Sequence, residues 1–312
     1  MSGPDEFEQI ERLYRPLTRG AAGAFGLLDD AAVVASRPGM ELVLTKDAIV
    51  EGVHFLAGTP PALIARKLLR ANLSDLAAKG AEPYGYLLAC AWPQAYGWPE
   101  RQAFAEGLRQ DGEAFGLVLL GGDTTGTPGA LTLSATMLGW VPEGRMVRRA
   151  GAKAGDLLMV SGTVGDGVLG LAAARGEVAD PDGFLAERYN LPLPRLDLRD
   201  ALRGAAHAAC DVSDGLVADA GHIGRASGVG LTVDLDRLPL SAPARQWLDG
   251  QADRAAGLLR LATGGDDYEV VCAAPRPLPG FTVVGEATAG QGIRVLAGGR
   301  PLDAGPGGWR HG

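Results

Sequence analysis

Cysteine is scarce in this chain and never clustered: Cys90, Cys210 and Cys272 are isolated, odd in number and free of C-x-x-C spacing. That excludes a disulfide scaffold or a cysteine-based zinc site and leaves three small core residues of a reducing compartment. Histidine is also sparse, with four residues and no metal-ligand spacing. Positive charge is the minority sign, 29 Lys and Arg against 37 Asp and Glu for a net charge of -8, and no basic stripe stands out. This argues against a nucleic-acid surface. No apolar run approaches the roughly 18 residues that a membrane span needs. The opening Met1-Ser2-Gly3-Pro4-Asp5-Glu6 is polar and acidic, without signal-peptide character. The chain also lacks a G-x-x-x-x-G-K-[ST] phosphate loop and a G-x-S-x-G nucleophile elbow. The expectation is a soluble, cytoplasmic protein that engages neither nucleic acid nor membrane.

What the chain does have is length and apolar content for two cores, 312 residues at 46% hydrophobic. Hydrophobic periodicity predicts a helix over 5–14, strands over 31–34 and 41–50, and a long helix over 60–79 with Gly80 as its C-terminal cap. A strand over 84–92, a helix over 99–115 and strands over 117–120 and 131–140 follow. The basic, glycine-containing segment 144–151 marks a boundary, giving an N-terminal domain 1–147 and a C-terminal domain 148–312. The second half predicts strands over 157–161, 231–234, 268–273 and 281–285, helices over 168–175, 198–209 and 215–226, and a loop-like tail from 298. Two α+β halves are the coarse reading.

Aspartates recur at the ends of apolar runs: Asp29-Asp30, Asp47, Asp75, Asp123, Asp211 with Asp214, and Asp266-Asp267. Brought together by a fold, they would form a cage of negative charge that needs cations to remain ionised. Hard carboxylate oxygens suit magnesium, which is commonly held by a few carboxylates together with substrate phosphates. The pattern points to phosphate chemistry.

Individual settings differ in weight. At 100° per residue, Asp75 points between Leu68 and Ile64, while Arg66, Arg70 and Ser74 point away. A carboxylate on an apolar face needs compensation, and that position disfavours the plain alternative, a surface pair with Lys79. Leu119-Leu120-Gly121-Gly122-Asp123 is a buried strand entering a glycine turn and then an acid, equally consistent with close backbone approach to a ligand and with a hairpin or bulge. In Asp211-Val212-Ser213-Asp214-Gly215, Ser213 or Asp214 is a good N-cap for the helix that follows, and a helix N-terminus also binds phosphate. Gly165-Asp166-Gly167-Val168-Leu169-Gly170 matches G-x-G-x-x-G, but Asp166 stands where pyrophosphate requires neutral backbone, so it reads as a decoy. A lone histidine such as His54 is more often a packed, hydrogen-bonded residue than a ligand.

In order, these motifs resemble the thiamine-monophosphate kinase family. The matching stretches are Asp29-Asp30-Ala31-Ala32-Val33, Thr45-Lys46-Asp47 with Glu51-Gly52-Val53-His54-Phe55, Asn72-Leu73-Ser74-Asp75, Gly121-Gly122-Asp123-Thr124-Thr125, Arg149-Ala150-Gly151, Asp211-Val212-Ser213-Asp214-Gly215, Gly264-Gly265-Asp266-Asp267-Tyr268-Glu269 and Trp309. The resemblance implies the two-domain α+β fold of the aminoimidazole ribonucleotide synthetase superfamily, with N-terminal halves pairing into a homodimeric β-barrel. It implies several Mg2+ ions held by Asp30, Thr45, Asp47, Asp75, Asp123, Asp211 and Asp214. It further implies ATP contacts from Gly122, Asp123, Arg149 and Ser213, and thiamine-monophosphate contacts from His54, Asp266 and Trp309. The implied reaction is direct in-line transfer of the ATP γ-phosphoryl group to thiamine monophosphate, with no residue acting as a covalent nucleophile. The alternatives are a related ATP-dependent synthetase of the superfamily and a non-catalytic maturation scaffold.

Three residues depart from the family pattern. Leu28 replaces the usual glycine, so its turn must use negative φ. Lys46 replaces Ser or Thr between Thr45 and Asp47, which places a cation among the expected metal ligands. Asp266 replaces Glu, shortening its reach to substrate by one methylene.

Overall fold

The computed structural model describes residues 6–305 and 307–309. It divides into two units, Met1–Leu76 with Ala81–Gly144, and Ala77–Gly80 with Arg145–Gly312. Among the described residues, no helix is long and apolar enough to cross a membrane.

The first unit carries α1 (Glu6–Gln9), β1 (Met40–Val50), α2 (Pro61–Ala78), β2 (Glu82–Pro93), α3 (Trp98–Phe115), β3 (Val118–Thr127) and β4 (Thr132–Pro142). Its sheet runs β1-β4-β2-β3, with β2 and β3 parallel and the other pairs antiparallel. Alternation along β1 buries Val43 and Ile49 on one face and leaves Leu44, Lys46 and Ala48 exposed on the other. α2 is buried on nearly all sides, with Ile64, Leu68 and Ala71 joined by Leu69, Leu73 and Ser74. Asp111 of α3, also buried, is paired with Arg66 and Arg70 of α2.

The second unit carries β5 (Leu157–Ser161), α4 (Asp166–Ala174), α5 (Phe184–Asn190), α6 (Arg199–Ala205), β6 (Ala208–Asp211), α7 (Leu216–Ser227), β7 (Gly230–Asp234), α8 (Ala242–Asp249), α9 (Arg254–Thr263), β8 (Val270–Ala274), β9 (Phe281–Thr288), β10 (Ile293–Ala297) and β11 (Arg300–Leu302). Its seven-stranded mixed sheet runs β11-β10-β7-β9-β5-β8-β6. Leu158, Val160, Cys210, Val212, Leu216, Ile223, Val233 and Val271 lie in its main core. All three cysteines are buried thiols.

Several expected elements differ. Residues 31–34 are not a strand: the Val33 N–H donates to the Gly23 carbonyl, and Ala32 and Val34 pack on the Ala24, Leu120 and Leu138 cluster. The helix expected over 198–209 ends at Ala205, and its last residues instead form β6 against β8. The tail contains β11 rather than loop alone.

Candidate functional site

The candidate metal-binding residues of the first unit fall into two groups. In one, the Thr45 hydroxyl of β1 donates to Asp75 Oδ2 on α2. Asp47, two residues along the same strand face, has its carboxyl pushed up to about 6, first by burial and then by the charge of Asp75. A buried carboxyl raised by a neighbouring acid marks a site that a cation relieves. Asp75 is half-buried and hydrogen-bonded across to the sheet, but α2 has no single apolar face: Ser74, expected to point away from it, is fully buried, as are Leu69 and Leu73.

Lys46 does not belong to this group, contrary to expectation. Strand alternation turns it to the opposite face, where its Nζ lies 2.8 Å from Ser134 Oγ and 3.4 Å from Thr136 Oγ1 of β4. The cation is held by two hydroxyls on the sheet face opposite Thr45 and Asp47.

The second group lines a cavity of about 620 Å³ whose walls include Asp29, Asp30, Gly122, Asp123 and Tyr14. Gly122 adopts φ +159 in extended backbone, and a Cβ there would lie 1.9 Å from the Leu88 carbonyl oxygen, so close strand approach demands glycine. That accounts for the second glycine of the pair before any ligand is invoked. Leu28 takes φ -106, as expected of a non-glycine, while Leu27 beside it is left-handed at φ 58. His54 Nδ1 accepts the Val50 N–H at 3.1 Å, which leaves Nε2 to carry the ring proton of the neutral form.

In the second unit, residues 211–215 connect β6 to α7. Neither Ser213 nor Asp214 caps the helix. Gly215 holds the N-cap position with φ 123, and a Cβ there would lie 2.8 Å from the Thr263 carbonyl. The capping acceptor is Asp219, inside the first turn of α7, whose Oδ2 takes the N–H groups of Ser213, Asp214 and Gly215 at 3.0, 3.1 and 3.1 Å. Burial and the charge of Asp214 push the Asp219 carboxyl up to about 7, against these backbone donors and Arg149. Arg149 is exposed, and its carbonyl accepts from Ser227. Asp211 is 5% exposed at the end of β6.

Asp266 and Trp309 both attach to this connection. The Asp266 N–H donates to the Ser213 carbonyl at 2.9 Å and the Trp309 N–H to the Asp214 carbonyl at 3.0 Å. Asp266 and Tyr268 are both left-handed, at φ 67 and 51, an unusual conformation for residues with side chains. Between them, buried Asp267 accepts the Gly165 and Gly167 N–H groups at 2.8 and 2.9 Å. The G-x-G-x-x-G motif is thus a decoy for a physical reason: an internal carboxylate already occupies the place of an anion at the start of α4. A Cβ at Gly167 would lie 2.4 Å from the Asp266 carbonyl carbon, so this glycine serves packing.

The structure thus places Thr45, Asp47 and Asp75 in one group, Asp30, Gly122 and Asp123 around one cavity, and Ser213, Asp214, Asp266 and Trp309 on one connection. Asp219 was missed by sequence reasoning. The signal existed: on α7 it shares the buried face of Leu216, Ala220 and Ile223, the same test that marked Asp75.

Residues 28–141 match the AIR synthase related protein N-terminal domain, and residues 153–298 match the corresponding C-terminal domain. The chain is 54% identical over 321 aligned residues to the thiamine-monophosphate kinase of Caulobacter vibrioides, spanning 99% of this chain and 91% of that protein. The crystal structure of a thiamine-monophosphate kinase from Stenotrophomonas maltophilia K279a superposes with a TM-score of 0.81 at 38% identity, covering 93% of this chain and 96% of that one. AaThiL complexed with AMPPCP and TMP superposes with a TM-score of 0.78 at 29% identity, covering 91% and 96%.

Proposed function

The chain belongs to the thiamine-monophosphate kinase family, and from that premise we propose that it transfers the γ-phosphoryl group of ATP directly to the phosphate of thiamine monophosphate, giving thiamine diphosphate and ADP. The observation that carries the reading is 54% identity maintained over 99% of the chain. A relative bound to AMPPCP and TMP supports the substrate pair.

We propose that Asp30, Thr45, Asp47, Asp75, Asp123, Asp211 and Asp214 hold several Mg2+ ions. The donor set fits: every group offers hard oxygen, and the effect of Asp75 on Asp47 favours a cation. Bound magnesium supplies charge neutralisation and alignment to phosphoryl groups. Gly122, Asp123, Arg149 and Ser213 are assigned to ATP. The Ser213 N–H is committed to Asp219, so its hydroxyl is the group offered to the nucleotide. Arg149 adds positive charge that offsets repulsion between two phosphates.

Thiamine monophosphate is assigned to His54, Asp266 and Trp309. The His54 Nε2–H is oriented by the Val50 bond at Nδ1 and can donate to a phosphate oxygen. The Trp309 ring, 59% exposed, offers a stacking face to the aromatic part of thiamine. The accepting phosphate, with a second pKa of about 6, is anionic near neutral pH and needs no strong base from the protein. No side chain serves as a covalent nucleophile.

A homodimer built through the first unit completes the proposal. Leu44 and Leu87 stand 60% and 41% exposed on the sheet face that also carries Lys46, an apolar surface suited to a second copy.

The experiment that tests the assignment offers ATP with thiamine monophosphate and, separately, with the substrates of AIR synthetase and selenophosphate synthetase. ADP release only with thiamine monophosphate is the expected outcome. Turnover only with another substrate overturns the reading, and ATP binding without turnover moves it to a scaffold.

A further inference from the structure

Asp219 has no role in the assignments above, yet it is 1% exposed and its Oδ2 gathers three consecutive backbone N–H groups. Those donors belong to the chain entering α7, where an ordinary N-cap side chain would act. Gly215 occupies that position and has no side chain to offer. The connection is therefore held from the helix side by one carboxylate oxygen.

With these N–H groups turned towards Asp219, the carbonyls of Ser213 and Asp214 receive the N–H groups of Asp266 and Trp309. Two further backbone bonds, Tyr268 N–H to the Val212 carbonyl and Val212 N–H to the Glu269 carbonyl, lock the same two segments together. One buried oxygen thus fixes the backbone from which four proposed ligand-binding side chains project. We infer that Asp219 is a positioning residue for phosphoryl transfer, holding Ser213 and Asp214, and through them Asp266 and Trp309, in the geometry that binds the two substrates. The inference rests on the kinase reading and assigns Asp219 no contact with substrate.

A metal-ligand role is the competing explanation, because Asp214, Asp219 and His222 each place a ligand atom within 4.8 Å of the others. The partners of these groups argue against a shared ion. Asp219 Oδ2 faces three N–H dipoles whose positive ends repel a cation, and His222 Nδ1 lies 2.8 Å from the Arg225 guanidinium. Asp219 acts on the loop, and Asp214 remains the group available to metal.

Two substitutions in the full-length protein separate these roles. Asp219→Asn keeps an oxygen acceptor at the same reach and removes the charge, whereas Asp219→Glu keeps the charge and adds a methylene. Positioning predicts that the Asn variant retains kcat within about tenfold, while the Glu variant, displacing the loop by about 1 Å, loses on the order of a hundredfold. Hydrogen exchange of the peptide over 211–217 gives a readout independent of catalysis: slow in the wild type and the Asn variant, faster in the Glu variant. A Glu variant as active as the Asn variant, or more so, overturns the inference, as do equal exchange rates in all three proteins. If the Glu variant does not fold, the Asn variant decides: wild-type exchange with kcat within about tenfold supports the role, and a loss beyond a hundredfold at wild-type stability overturns it. If the wild type makes no thiamine diphosphate, the kinase reading falls, and the exchange comparison still decides whether Asp219 holds the loop.

Discussion

The Thr45 hydroxyl of β1 donates to the Asp75 carboxylate of α2. A strand and a helix that follow different periodicities therefore converge on one acid, with Asp47 close enough to feel its charge. This contact orients Asp75 beside Asp47, a pair of acids whose charge magnesium can balance.

Metal-free stability should depend on pH through Asp47. Its folded pKa, about 6, lies above the unfolded value, near ~4 for an aspartate. The folded protein then retains a proton that the unfolded chain has lost. The associated stability is fully present below the unfolded value and is lost as pH rises through about 6, on the order of 2–3 kcal/mol by linkage. Thermal unfolding should show a magnesium-induced rise in Tm that is larger at pH 7.5 than at pH 5, an excess that Asp47→Asn removes. Equal magnesium shifts at both pH values would contradict the assignment.

Asp47→Asn and Asp123→Asn keep side-chain size and remove one negative charge each. Turnover should fall by on the order of a hundredfold or more in each, because misaligned, poorly neutralised phosphates lose both positioning and charge compensation. Steady-state kinetics at saturating ATP provide the check; near-normal kcat in both variants would sink the metal assignment.

Lys46→Thr should leave the magnesium dependence of the reaction within about twofold, since the side chain lies on the sheet face opposite Thr45 and Asp47. A several-fold change in the magnesium concentration for half-maximal activity would return Lys46 to the site.

Leu44→Asp places a charge on the exposed apolar sheet face. Size-exclusion chromatography with light scattering should find a dimer for the wild type and a monomer for the variant, since a buried unpaired charge disfavours association. A wild-type monomer at micromolar concentration would remove the homodimer from the account.

Much of this organisation was legible in the sequence because it rests on short-range periodicity. The helical phase of α2 drew attention to Asp75, although the helix is buried on nearly all sides, Ser74 included. Alternation along β1 puts Lys46 on the opposite face from Thr45 and Asp47, so its exclusion was available too. Residues 31–34 misled because their apolar side chains cover Leu120 and Leu138 without joining a ladder, a tertiary choice that composition does not encode. Asp219 shows the converse: its helical phase was readable, but its three backbone partners depend on how the chain turns at Gly215. The grouping of Ser213 with Asp266 likewise comes from backbone bonds between segments more than 50 residues apart.

The most direct measurement is a magnesium titration of thiamine diphosphate and ADP formation by the purified protein given ATP and thiamine monophosphate. The account predicts that the two products appear in equal amounts, that formation ceases when magnesium is chelated, and that no labelled phosphoenzyme lies on the path. Stoichiometric ADP without thiamine diphosphate, or a phosphoenzyme competent to pass its phosphoryl group to thiamine monophosphate, would contradict direct transfer.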